Sequence, residues 1–192
     1  SGGGASVAHR YLAEGSYTAN VTAKNTAGSV SFPVTVDVLP SSVSATVTPN
    51  QGIVETDDGT FRAFFPTNAV TTTVQVTYTA HITASQPLTN GLGLLRDFTL
   101  EATLNGAPVL HFERPYTVTL RYTDAEIAAG DVEEASLKVL FWDGAEWADL
   151  SQCQGCAFDA VNNRITLVLD GVGEFALVGA QRSRILLPIV LR

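Results

Sequence analysis

The chain has 192 residues, 45% of them hydrophobic and only 16% charged, which supplies one large or two small packed cores and excludes disorder as the main state. Nineteen Asp and Glu against eleven Lys and Arg give a formal net charge of -8, a poor footing for long-range attraction to nucleic acid or anionic lipid. The longest apolar run, Ile185 to Leu191, falls far short of the roughly 20 residues a membrane helix needs. Met is absent throughout, so the sequence reads as a piece of a longer precursor.

Along the chain, apolar residues alternate with Thr, Ser and charged ones in short runs closed by Gly, Pro, Asn or Asp, the signature of half-buried strands. The pattern predicts an all-β chain with strands at 15–24, 29–38, 42–48, 52–55, 60–65, 74–84, 94–104, 116–122, 137–142, 146–150, 164–169 and 174–178. Asp58-Gly59, Asn90-Gly91, Asn105-Gly106, Asp143-Gly144 and Asp170-Gly171 supply the positive-φ residues that tight turns require. A single short helix is expected at 123–130, with Thr123 or Asp124 as its cap, Glu126 in its first turn and Gly130 as its stop. Strands this short and evenly spaced imply β-sandwiches. Pro40 and the Ser pair after it mark a boundary, giving two modules at 1–41 and 42–180, followed by a polar linker and an apolar C-terminal strand at 181–192.

Residues with chemical potential are few. There is no nucleophile elbow, no paired-His zinc motif and no phosphate loop, so no enzyme activity is expected. Cys153 and Cys156 form one C-x-x-C without the further ligands a structural zinc needs. A redox dithiol and a disulfide pinching a β-turn both remain, and the strand-like flanks favour the disulfide. His9, His81 and His111 have no second His at metal spacing. The acids Asp57, Asp58, Asp143, Glu146 and Asp149 could offer oxygens to calcium, but turn-forming Asp is the plainer reading, and no cofactor is expected. Trp142 and Trp147 flank the Asp143-Gly144 turn and would form a sugar-stacking platform if both were exposed on one face, or a core or edge-covering pair if not. Asn20-Val21-Thr22 is a formal glycosylation sequon.

The first module carries Val7-Ala8-His9-Arg10-Tyr11, Glu14-Gly15-Ser16-Tyr17-Thr18, Val21-Thr22-Ala23, Asn25-Thr26-Ala27-Gly28-Ser29 and Val34-Thr35-Val36. In that order these resemble the C-terminal half of a PKD domain, an immunoglobulin-like sandwich of bacterial surface and secreted proteins. The family's opening W-D-F-G-D-G half is not present, so the resemblance implies a half-sandwich whose apolar face (Tyr17, Ala19, Val21, Val34, Val36) needs a cover. In the second module Gly52-Ile53-Val54, Phe64-Phe65-Pro66-Thr67-Asn68-Ala69-Val70, Pro115-Tyr116-Thr117-Val118-Thr119-Leu120, Leu140-Phe141-Trp142-Asp143-Gly144-Ala145-Glu146-Trp147 and Phe175-Ala176-Leu177-Val178 resemble a ZU5-like sandwich of bacterial cell-surface proteins. Some relatives cleave themselves at an H-F-S site, but Gly173-Glu174-Phe175-Ala176 stands here without that His or Ser, so the activity does not carry over.

The tail, Ile185, Leu186, Leu187, Pro188, Ile189, Val190 and Leu191 between arginines, is too apolar to remain in water and needs a groove, where Pro188 suits an edge or inserted strand. Its ending also resembles the L-P-x-V-L-R endings of exported bacterial proteins, which implies a sorting or anchoring signal instead. A module lacking strands and a strand lacking a module together imply assembly: the tail of one copy, or a strand from elsewhere in the precursor, completes a neighbour's sandwich. The expected protein is a non-catalytic, extracellular or cell-surface structural subunit forming a filament or surface layer. Its partners would be copies of itself or neighbouring domains of the same precursor, with no nucleic acid and no membrane insertion. The alternative is a fragment of a multidomain adhesion or carbohydrate-binding protein.

Overall fold

A computed structural model of the chain describes residues 15–38, 41–150 and 153–182. It is all-β and antiparallel. The first two strands, β1 (Gly15–Asn25) and β2 (Gly28–Val38), pair only with each other among the described strands. Their register sets Tyr17 opposite Val36, Ala19 opposite Val34, Val21 opposite Phe32 and Ala23 opposite Val30. Because side chains alternate across a strand, these eight share one face of the ribbon, while Thr18, Asn20, Thr22, Ser31, Pro33 and Thr35 share the other.

The remaining strands build a two-sheet sandwich. They are β3 (Ser41–Val47), β4 (Gly52–Glu55), β5 (Phe61–Phe65), β6 (Val74–His81), β7 (Leu92–Leu104), β8 (Ala107–Pro108) and β9 (His111–Arg121), followed by β10 (Lys138–Trp142), β11 (Trp147–Asp149), β12 (Ala157–Asp159), β13 (Arg164–Gly171) and β14 (Gly173–Ala180). One sheet runs β11-β10-β14-β7-β6-β3, with β8 added to β7; the facing sheet runs β12-β13-β9-β5-β4. Between them Phe61, Phe65, Phe98, Leu100, Tyr116, Leu120, Leu167, Phe175 and Leu177 are all but inaccessible to solvent. The rings interlock: Phe61 stacks on Tyr78 at 4.0 Å, and Phe98 on Phe175 at 5.2 Å. Strand β5 shows how alternation creates this core, since Phe61, Ala63 and Phe65 are buried and Arg62 and Phe64 are not.

The helix α1 (Asp124–Gly130) begins as its sequence dictates, with Thr123 and Glu126 forming a reciprocal capping box. Glu126 also receives Arg96 Nη2 at 2.7 Å, and Arg96 Nη1 donates to the Thr60 carbonyl at 3.1 Å, so one side chain of β7 ties together the helix and the facing sheet. Strand β14 is buried almost continuously from Phe175 to Gly179, because the loop 82–91 covers its outer face. There Leu140, Ala176 and Val178 pack against Leu88, Leu92, Leu94 and Trp147 as a second, smaller core.

Candidate functional site

Three features of the described residues carry chemistry or an uncovered surface. The first is the ribbon's apolar face: Val21, Val30, Phe32 and Val34 are exposed, Phe32 by 63%. Burying a side chain of that size stabilises by roughly 1.5–3 kcal/mol, so the face is a standing drive toward association. Lys24 and Asp37 are the only charged residues in the two strands of the ribbon, and neither position belongs to that set of eight.

The second is an open apolar cleft at the β14 start, made of two adjoining hollows of about 490 and 400 Å³. Leu110, Phe141, Asp143 and Val172 line both. It forms where β14 begins at Gly173 while β7 runs on past Leu100 to pair with the two-residue β8, so that the sheet surface steps at this end. Trp142 lines one hollow, and Glu101, Asp143, Asp170 and Glu174 are among the lining residues, whereas no Lys or Arg lines either hollow.

The tryptophan pair sits beside it. Trp142 and Trp147 are direct cross-strand partners, their centroids 5.5 Å apart and their planes at 66°. This edge-to-face arrangement offers one ring face at a time rather than a flat double platform. Trp147 is further occupied, donating Nε1–H to the Pro87 carbonyl at 3.0 Å and packing on the outer core.

The third is an acidic pair that the sequence pattern did not single out. Asp97, on the outer face of β7, is fully buried. Its carboxylate accepts Ser85 Oγ at 2.7 Å and Ser85 N at 3.3 Å, and the same hydroxyl meets Glu174, which also receives Gln86 Nε2 at 3.4 Å. Burial, with the nearby Glu174 charge, pushes the Asp97 pKa above the usual carboxylate range despite the bonds from Ser85. A charged residue between Arg96 and Phe98 reads as solvent-facing in sequence; only the overlying loop reveals it as an anchor.

The other expected site residues fall as follows. Cys153 and Cys156 are bonded to each other across a turn closed by Cys156 N to Cys153 O at 3.1 Å, with Gly155 at φ +85°, and Val168 N donates to Cys156 Sγ at 3.4 Å. His81 Nε2 lies 2.8 Å from Thr99 Oγ1, His111 opens β9, and His9 lies outside the described residues. Asp58 accepts Thr56 Oγ1, Thr60 N and Thr60 Oγ1, which hold its carboxyl below its ordinary pKa. Asp143 accepts the amides of Ala145 and Glu146 at 2.8 Å each, and its pKa is lowered likewise. Asp149 pairs with Lys138 at 3.4 Å. Among the described residues no three His, Cys, Asp or Glu side chains are placed to hold a metal ion. Residues 185–191 lie outside the described residues.

The geometry therefore defines an antiparallel β-sandwich with an amphipathic ribbon before it. Residues 1–38 match the PKD domain family, which gives the chain an immunoglobulin-like start. Comparison with curated proteins returns no match. Among the described residues no helix is long and apolar enough to cross a membrane.

Proposed function

We propose that the chain is a non-catalytic structural subunit of an extracellular or cell-surface assembly, built by β-strand complementation into a filament or layer. The PKD match supports the coarser part of this reading, since such domains are typically extracellular, non-catalytic adhesion modules. Supporting the finer part is the uncovered ribbon face, whose paired Val21 and Phe32 are 57% and 63% exposed. Half a sandwich reaches a stable core only when further strands cover it.

In this reading residues 1–41 are a partial PKD-like module, residues 42–180 a ZU5-like sandwich, and Ile185 to Leu191 the assembly strand that one copy donates to another. No cofactor takes part, and the partners are further copies or neighbouring modules of the same precursor. Light scattering and electron microscopy of the purified chain test it: ordered multimers are expected, and deletion of 185–192 is expected to abolish them while the central sandwich stays folded. A deleted chain that assembles unchanged would sink the proposal.

A second reading, a carbohydrate-binding module, draws on Trp142 beside the acidic, Thr-bearing cleft. It expects a monomer whose Trp fluorescence responds to polysaccharide.

A further inference from the structure

We infer that the acidic-rimmed cleft at the β14 start is the acceptor for residues 185–191 of a second copy, in preference to the ribbon. This rests on the self-assembly reading and names the docking surface of the donated strand, leaving the ribbon's face to a neighbouring module of the assembly. Three observations carry it.

The first is charge. The tail is an apolar run held between Arg184 and Arg192, with Arg182 just before it. The cleft's lining joins the apolar Leu110 and Val172 to Glu101, Asp143, Asp170 and Glu174 and holds neither Lys nor Arg. Complementary rims of this kind fix register and suppress wrong partners. The ribbon, with Lys24 and Asp37 alone, offers no such match.

The second is size. The ribbon face spans two eleven-residue strands, more than one seven-residue segment covers. Closing it calls for a sheet.

The third is reach. Strand β14 runs from Gly173, beside the cleft, to Ala180, and the described chain ends two residues later at Arg182. Arg182 therefore lies about 26 Å from Glu174, at roughly 3.3 Å per residue. Ile185, three residues on, extends at most about 11 Å from Arg182. The first part of the apolar run, Ile185 to Leu187, cannot enter its own chain's cleft, so an occupant that lies in it along the whole run comes from another copy. Donor and acceptor then sit at opposite ends of β14. Such a head-to-tail contact propagates into a filament unless its rotation closes a ring.

A charge swap in the full-length chain decides the matter. Glu101 and Asp170 are exposed, so Glu101→Lys with Asp170→Lys is expected to leave circular dichroism and thermal midpoint as in the parent. Light scattering should show association weakened at least about tenfold. Adding Arg184→Glu and Arg192→Glu to that chain should restore assembly, and high salt should weaken the parent but not a purely apolar contact. If the rim reversal has no effect while deletion of 185–192 still abolishes assembly, the tail docks elsewhere and only the acceptor assignment falls. Failure of the compensating swap to restore assembly likewise overturns the acceptor. A parent chain that stays monomeric overturns both readings.

Discussion

The ribbon and the central sandwich are written in the same alphabet, yet only one of them closes. Both alternate apolar and polar residues with period two, and both pair antiparallel. In the sandwich Phe98 meets Phe61 and Phe175 from the surrounding strands and is fully buried; in the ribbon Phe32 faces the same way as its neighbours and is 63% exposed. Alternation produces a face, and a core requires a second layer against it. The ribbon thus shows what the sandwich would be with its partner sheet removed.

The largest test of that contrast is a pair of truncations. Phe98→Ala should cost the central sandwich about 3–5 kcal/mol, measured by urea unfolding, because it opens a cavity among stacked rings. Phe32→Ala should cost the unassembled chain less than about 0.5 kcal/mol in the same measurement. A comparable loss at Phe32 would mean that the ribbon is already covered within its own chain.

A smaller effect is expected where the sandwich is pinned by covalent chemistry. If the protein is exported, Cys153 and Cys156 should be oxidised to each other: intact mass after alkylation should show no label until reductant is added, and Cys153→Ser should cost about 2 kcal/mol, the modest value of so short a loop. Free thiols in extracellular material would remove this contribution.

The smallest is a slope with pH. The folded pKa of Asp97 is raised, so above the ordinary carboxylate pKa the unfolded chain releases a proton that the folded chain keeps. Stability should therefore fall as pH rises through that window. Thermal melts between about pH 4 and pH 7 should show this fall in the parent and lose it in Asp97→Asn. Asp58, held below its ordinary value by Thr56 and Thr60, works in the opposite sense, and its contribution vanishes on acidification.

Much of the fold was legible because alternation and turn chemistry are local. The segment 52–55 forms β4 as expected, and the strands expected at 15–24 and 74–84 appear as β1 and β6 with shifted ends. Thr123 and Glu126 announce α1 through a contact three residues apart. Legibility ended where partners are remote. Strand β9 begins at His111 rather than Tyr116, because Pro115 and the charges before it hide a first half that meets β13 only at His111 before continuous pairing starts at Tyr116. Asp170-Gly171 reads as a turn, yet β13 continues to Gly171, which pairs with His111 through an irregular register. The strands β8 and β12 are too short to carry a period. Asp97 was hidden for the same reason: its anchor, Ser85, arrives on a loop twelve residues earlier. The cleft is a step between sheet ends and has no sequence motif.

The order β14-β7-β6-β3 has a mechanical corollary. Three antiparallel steps separate β3 from β14, so the chain enters the sandwich at Ser41 and leaves it at Ala180 toward the same end, roughly 14 Å apart across the sheet at about 4.8 Å per strand and offset along it by the residues between Phe175, which shares the rung of Ser41, and Ala180. A pull on those two points has a component across the strands, along the hydrogen bonds, beside the one in shear against them, and the transverse component falls first on the sheet edge. The edge strand β3 would then peel from β6 one rung at a time, starting from Ser41. Tension carried through neighbouring modules would meet its weak link there, while the ring-stacked interior farther from the edge stayed whole.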